Sequence, residues 1–410
     1  MAADNEKRPD KVLHYWLKIS AAKSPLFIYV IIFFVIFLLI YALSIMSHPS
    51  PLLFGLRSHQ TPIEVQTLEE DCESDQDPLV PPRNIPREER IAWFKTQLPK
   101  LDILKPSNSS ETFHFRVLSF LNQGCSTLFH MIWLTPAKSF GKREFLTMET
   151  LFKVNPQACL VILSSAMDSR RGYKILKPLL DRRFKVLAIT PDLPFLVKRT
   201  PAQAWLEEIK SGTKDPGSIP LSQNLSNLIR LAMLYKYGGV YMDTDLIVLK
   251  DFSVFRNAIG AQSVDSVTKK WNRLNSAIMI FDIRHPILLE FLKEFASTFD
   301  GNRWGHNGPY LVSRVIERLE RKSKYNVTIL PPKTFYPVDW LRIGKLFRKP
   351  QNEAESKWME DRLLELLYTG ETYAVHLWNK MSKKLVIEEG SVMARLLTRR
   401  CVLCDNTTNT

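Results

Sequence analysis

Cysteine is scarce in this chain, with five in 410 residues. Cys401 and Cys404 form a CVLC near one end, which offers two ligands where a zinc site needs four converging ones. A thioredoxin-like redox pair would sit at a helix start after a strand, near the beginning of the protein. Structural disulfides are therefore expected. Cys125 and Cys159 flank the first strand–helix unit and are one candidate bridge, four cysteines allow three pairings, and Cys72 is left over, free or joining two chains into a homodimer. Internal repeats and low-complexity arrays are absent as well. So is a basic stripe: the net charge is +14, but Lys and Arg are dispersed, with only short pairs such as Lys269-Lys270 and Arg399-Arg400 and no interleaved aromatics. That argues against nucleic acid as a partner and suits an anionic small ligand or an acidic acceptor.

What is present begins with a short polar tail over residues 1–24, carrying Lys7, Arg8, Lys11, Lys18 and Lys23. Leu26 to Met46 then runs for 21 residues without a charge, enough at 1.5 Å per residue to cross a hydrocarbon core of ~30 Å. Its length exceeds the apolar region of a cleaved signal peptide, and SIMSHPS is a poor cleavage site. The expectation is a membrane-anchored chain with one transmembrane signal-anchor helix over 25–46. Basic residues precede the span and the next is Arg57, so the tail stays cytosolic and everything downstream is lumenal. Residues 47–110 are rich in Pro and acids and read as a stem, within which 91–98 is a short amphipathic helix or part of the spacer. Sequons at Asn108, Asn224, Asn326 and Asn406 fit the secretory pathway, although Asn224 stands close to the candidate site described next.

Roughly 300 residues remain, enough for one large domain or two lobes. Strands are expected over 128–134, 159–166 and 184–190, with helices over 143–152 and 173–181 between them. This alternation predicts an α/β fold with a mainly parallel sheet and helices on both faces, whose ligands sit beyond the carboxyl ends of the strands.

The informative stretch is NLSNLIRLAMLYKYGGVYMDTDLIVLK, Asn224 to Lys250. A helix with Ser222 as its N-cap leads to Gly238 and Gly239, which stop it. Val240 to Met242 then form a buried strand, and Asp243 and Asp245 follow. In extended backbone two acids so spaced project to one side, roughly 7 Å apart. They can share a hard divalent cation and leave positions open for phosphate oxygens. Asp-x-Asp alone is more often a solvated turn; the helix, the Gly-Gly stop, the strand and the acids together carry the signal.

This segment resembles the DxD region of retaining GT-A glycosyltransferases of the α-1,4-glycosyltransferase type, and the chain is similar to a plant-like member of that family over about 125–404. The resemblance implies a nucleotide-diphospho-sugar transferase fold, with a DxD-containing nucleotide-sugar-binding region over 111–285 and a C-terminal α-1,4-glycosyltransferase region over 286–410. It implies a UDP-sugar donor and Mn²⁺ or Mg²⁺ held by Asp243 and Asp245. His376 in HLWNK is the candidate third ligand, since Mn²⁺ also tolerates imidazole. Trp133 in HMIWL is similar to a tryptophan that stacks on uracil, and unaided it reads as core. Asn227 and Arg230 share a helix face and suit donor hydroxyls or phosphate, Arg230 also being placed with the catalytic acids. Where many relatives carry Asp, this chain has Asn227, so a hydrogen-bonding role replaces a charged one. Tyr241 faces the acids' side, to contact phosphate or to pack. Asn275 is expected just before a strand and against the donor sugar, although Ala277 replaces the family's Gly. Trp378 lies over the donor or in the core. His306 and Asn307 are candidate acceptor contacts, with helix capping the plainer reading of Asn307.

No residue stands out as a general base, and none is nominated as a nucleophile. The function implied is a Golgi type II membrane enzyme that transfers galactose or N-acetylglucosamine, with retention, to a glycan or glycolipid acceptor. A silent partner subunit of the same fold and a metal-dependent phosphoesterase are the rival readings. The loops over 192–220 and 331–356 are expected to set acceptor choice.

Overall fold

The computed structural model describes residues 77–105, 109–319 and 325–400. The expected tail and membrane span, Cys72, the Cys401–Cys404 pair and the sequons at Asn108 and Asn406 lie outside them. Among the described residues no helix is long and apolar enough to cross a membrane.

Helices α1 (Arg87–Gln97) and α2 (Ser109–Leu121) come first. The alternating run follows: β1 (Leu128–Ile132), α3 (Lys142–Val154), β2 (Cys159–Leu163), α4 (Arg170–Asp181) and β3 (Lys185–Ile189). Three helices, α5 (Leu193–Val197), α6 (Ala202–Ser211) and α7 (Leu221–Tyr237), lead into β4 (Gly239–Met242) and β5 (Leu246–Val248). Then come β6 (Ala258–Val264), β7 (Trp271–Phe281), α8 (Pro286–Thr298), α9 (Pro309–Leu319), β8 (Thr328–Leu330) and α10 (Pro332–Phe335). The last elements are α11 (Glu353–Tyr368), β9 (Ala374–His376), α12 (Asn379–Ser382) and α13 (Val392–Arg400).

Seven strands form one sheet in the order β3-β2-β1-β4-β7-β6-β8, and β5 pairs with β9 in a small second sheet. In the large sheet β3-β2, β2-β1, β1-β4 and β6-β8 are parallel, while β4-β7 and β7-β6 are antiparallel. The mainly parallel α/β sheet is thus present. LFHMI and CLVIL are almost wholly apolar because helices cover both of their faces. Side chains alternate between two cores: Tyr241 joins α6, α7, α8 and α9 on one face, whereas Val240 and Met242 join α3 and α4 on the other. The Cys125–Cys159 disulfide forms, tying the approach to β1 to the start of β2.

Several local expectations are corrected. Residues 77–105, assigned to the stem, include α1 and pack on the body, with Phe94, Leu98, Ile103 and Leu104 in the main core and Arg90 paired with Asp215. Helix α7 begins at Leu221, so Ser222 lies inside its first turn; Pro220 before it has no side-chain acceptor, and the Leu221 N–H is satisfied by the Leu79 carbonyl at 2.7 Å. Asn275 and Ser276 lie inside β7, whose long pairing with β6 extends the strand past them. The 192–220 stretch is mostly α5 and α6, with the Asp192 side chain accepting from the Phe195 N–H at the start of α5. Finally, YAVHLWNK, which reads as one strand presenting both His376 and Trp378, is a strand only to His376 (β9), and Trp378 follows in a left-handed conformation at φ 53°.

Candidate active site

The turn from α7 into β4 accepts only glycine. Gly238 (φ 65°) donates its N–H to the Leu234 carbonyl at 2.8 Å, and Gly239 sits at φ 94°. A Cβ at Gly238 would meet the Ile283 nitrogen at 2.7 Å, and one at Gly239 the Leu128 carbonyl oxygen at 2.6 Å. His130 on β1 locks the turn by donating from Nε2 to the Gly238 carbonyl at 2.8 Å. Burial pushes this imidazole down to about 4, so it stays neutral.

Asp243 follows β4, and the chain does not continue extended as expected: Thr244 and Asp245 form a bend before β5. Helix α3 holds that bend. The Thr147 hydroxyl donates to the Thr244 carbonyl at 2.8 Å and accepts the Leu246 N–H at 3.1 Å, and Thr150 accepts the Val248 N–H at 3.0 Å. Both threonines are fully buried. The sequence signal for them is slight: two hydroxyls three apart on a mostly buried helix, which must find partners when buried.

The β5–β9 pairing completes the cluster. Leu246 lies opposite His376, which sets the imidazole beside Asp245 with Nε2 3.3 Å from Oδ1. The other oxygen of Asp245 accepts the Asn379 N–H at 2.8 Å. Asp243, Asp245 and His376 each offer one ligand atom, and these atoms lie within 4.8 Å of one another. Two carboxylate oxygens and an imidazole form a donor set that fits Mn²⁺, so the residues suit the implied cation. Burial opposes ionisation of Asp245, but His376 and the Asn379 N–H outweigh it and hold its carboxyl below the usual range. Burial likewise disfavours the charged imidazole of His376, and Asp245 overcomes this to raise it. Asp243 is raised, chiefly by desolvation, which Arg230 opposes and the Asp245 charge reinforces.

Arg230 and Tyr241 both engage Asp243, Arg230 from the cavity wall and Tyr241 from behind it. The guanidinium donates from Nη1 to the Ser276 carbonyl at 2.7 Å, lies 3.3 Å from Asp243 Oδ1 and stacks on the Tyr241 ring at 4.4 Å. Tyr241 is buried and its hydroxyl donates to Asp243 Oδ1, which replaces the expected phosphate contact with a positioning one. Asn275 donates to Gln262 at 3.1 Å and accepts the Ala277 N–H at 2.9 Å. The Trp378 ring stands edge-on to His376 at 4.3 Å and its indole N–H donates to the Val338 carbonyl.

These residues surround a cavity of about 400 Å³. Asn227, Arg230, Asp243, Asp245, Asn275, His376 and Trp378 line it; Trp133 and Tyr241 do not. Trp133 caps the end of β1, edge-on to Phe140, on the strand that pairs in parallel with β4. His306 and Asn307 are also outside the lining: His306 bonds to the Thr298 carbonyl, and Asn307 uses its amide on Asp300 and Asn224. Asn307 does not cap α9 either, because Gly308 occupies that place, its carbonyl accepting the Val312 N–H. Their neighbours Trp304 and Tyr310 line the cavity in their stead, together with Asn224, Arg273, Trp340, Asn379 and Lys380. Aromatic residues in a polar, Gly-rich loop were the signal available for Trp304 and Tyr310. The Asn224 sequon is buried, which bars a glycan from it in the folded chain.

Two family models match this chain. A glycosyltransferase sugar-binding region containing a DXD motif matches residues 141–265 and takes in Asp243 to Asp245. An alpha 1,4-glycosyltransferase conserved region matches residues 280–408 and takes in His376. Mouse lactosylceramide 4-alpha-galactosyltransferase is 34% identical over 267 residues, covering 62% of this chain and 68% of the mouse protein. The chain belongs to the α-1,4-glycosyltransferase family. An uncharacterized Arabidopsis thaliana protein is 30% identical over 299 residues, 70% of this chain, which spans 44% of that protein. Human alpha-1,4-N-acetylglucosaminyltransferase is 27% identical, covering 51% of this chain and 57% of its own length. Among solved structures, the PaToxG glycosyltransferase aligns with a TM-score of 0.36 at 19% identity, over 52% of this chain and 80% of that one. Family membership makes hexosyl transfer the class of chemistry against which the cavity is read.

Proposed function

We propose that this α-1,4-glycosyltransferase family member transfers a hexose, galactose or N-acetylglucosamine, from a UDP-sugar to a glycan or glycolipid acceptor with retention of configuration, in a divalent-metal-dependent reaction. The observation that carries this is the convergence of Asp243, Asp245 and His376 at one cavity. A cation held there would act as a Lewis acid on the donor's pyrophosphate. The chain's own residues do the rest. Arg230 and Tyr241 fix the Asp243 carboxylate, and the Asn379 N–H fixes Asp245. Asn227 presents its amide to the donor sugar, and Asn275, its amide engaged by Gln262 and the Ala277 N–H, shapes the same wall.

Among the described residues, the only carboxylates in the lining are Asp243 and Asp245. None remains to serve as nucleophile or general base, which supports a reaction in which the leaving phosphate takes the acceptor's proton. Three ligands are also fewer than a phosphoesterase would ordinarily assemble, which favours transfer over hydrolysis. Trp133, just past the end of β1 and outside the cavity's lining, is the proposed uracil platform on the family resemblance alone. The α-1,4 linkage, the Golgi membrane, the type II lumenal orientation, and a homodimer joined through the stem complete the proposal, motivated by the family and by the apolar run over 26–46.

The test uses the full-length chain in detergent with Mn²⁺ and a panel of UDP-sugars, following UDP release with and without chelator. Release from one donor that stops on chelation is the expected result. Absence of release from every donor, together with no UDP–Mn²⁺ binding by calorimetry, would replace this reading with the silent partner subunit.

A further inference from the structure

Among the described residues, Trp304 and Trp340 are the exposed tryptophans, retaining 51% and 43% of their surface, and both line the same cavity. Isolated exposed apolar side chains are ordinary, but two indoles converging on one cavity form a platform for a ligand with an apolar face. Asn224, only 3% exposed, also lines the cavity. Its Oδ1 accepts from Asn307 Nδ2 at 2.9 Å, while its own Nδ2 is buried with no partner in the protein. A buried donor left unpaired is costly, and a ligand acceptor oxygen would remove that cost.

Helix α7 gives the distance. Asn224, Asn227 and Arg230 are spaced i, i+3, i+6 along one stripe, and Arg230 touches Asp243. At 1.5 Å per residue Asn224 lies about 9 Å from Arg230 along the axis, one turn beyond Asn227. The cavity therefore has an inner end at the metal ligands and an outer end at Asn224. The charges differ between the ends as well: both lining carboxylates are at the inner end, whereas Lys380 lies over Trp304 at 4.2 Å and Arg273 over Tyr310 at 4.4 Å.

We propose that the outer end is the acceptor subsite and takes an uncharged or anionic saccharide. One ring hydroxyl accepts the hydrogen bond from Asn224 Nδ2, and the C–H faces of the sugar lie against Trp304 and Trp340. This rests on the transferase reading above and assigns its acceptor side.

The test is binding, independent of turnover. Saturation-transfer NMR on the full chain, with and without UDP and Mn²⁺, measures p-nitrophenyl β-lactoside and p-nitrophenyl β-N-acetylglucosaminide against the wild type, Asn224→Asp and Trp304→Ala. Asn224→Asp keeps an acceptor oxygen for Asn307 and replaces the free donor with a charged acceptor oxygen; Trp304→Ala alters an exposed loop residue, adds no charge and guards against a misfolded first variant. Each variant is expected to weaken glycoside binding roughly tenfold, while the Kd for UDP–Mn²⁺ moves less than about twofold. Unchanged glycoside binding in both variants overturns the inference, as does equal loss of glycoside and UDP, or no saturation transfer to either glycoside in the wild type. Failure of the wild type to bind UDP–Mn²⁺ would instead count against the transferase reading, with the glycoside arm still deciding this one.

Discussion

The two ends of the cavity are built on opposite plans. At the inner end the polar groups are largely committed within the protein: Asp243 to Tyr241 and Arg230, Asp245 to His376 and the Asn379 N–H, and the bend between them to Thr147. Trp304 and Trp340 in the same lining are open to solvent, and at the outer end Asn224 Nδ2 is unpaired. A preorganised electrostatic site gains from groups that need not move when charge develops, whereas a recognition site gains from groups whose partner is the ligand. Chemistry is therefore to be sought at the inner end and selection at the outer.

The comparison breaks most completely at the inner end. Asp243→Asn should lower transfer by a thousandfold or more, about 4 kcal/mol of transition-state stabilisation, with the fold kept as judged by circular dichroism. Wild-type turnover in that variant would show that the acid pair is not the chemical centre. His130 supplies a pH test of the scaffold beneath the same end. Its folded-state value of about 4 lies below the ordinary 6.5 of the unfolded chain. Above pH 6.5 both states are neutral and stability is unaffected. As the pH falls from 6.5 towards 4 the unfolded chain takes up the proton first, so stability is lost across that window, by about 3 kcal/mol, and levels off below it. Denaturant midpoints from pH 7.5 to 4 should show this loss, and His130→Gln should flatten its part of the profile. A smaller effect is expected from Thr147→Val, which keeps the shape and deletes the hydroxyl between Thr244 and Leu246. About 2 kcal/mol of stability should go, read as a lowered Tm, with kcat falling more than the acceptor KM rises. A change in acceptor KM alone would place Thr147 with the outer end and blur the division.

The sequence alone was a good guide wherever the relevant residues are close in the chain. Helix α7, the glycine stop, β4 and the acids occupy one run, so periodicity, glycine stereochemistry and spacing were enough to order them. The alternation of β1, α3, β2, α4 and β3 was legible for the same reason, since each buried strand is written as a short apolar block. Reading failed where a neighbour far along the chain took over a local duty. The Leu79 carbonyl satisfies the Leu221 N–H and α7 starts before Ser222, Asn275 was drawn into β7 by pairing with β6, and residues 77–105 were claimed from the stem by the core.

The α/β class, the family and the place of Asp243 and Asp245 are each written in contiguous residues, so they were legible before folding. The fold settled that Asn379, 134 positions away, would hold Asp245, and that Thr147, 97 positions before Thr244, would clamp the bend. It also decided that two distant tryptophans would share one cavity with Asn224. Local propensity fixes the face a residue presents on its own helix or strand. Which faces meet is set by strand order, register and packing, which no short stretch of the chain contains.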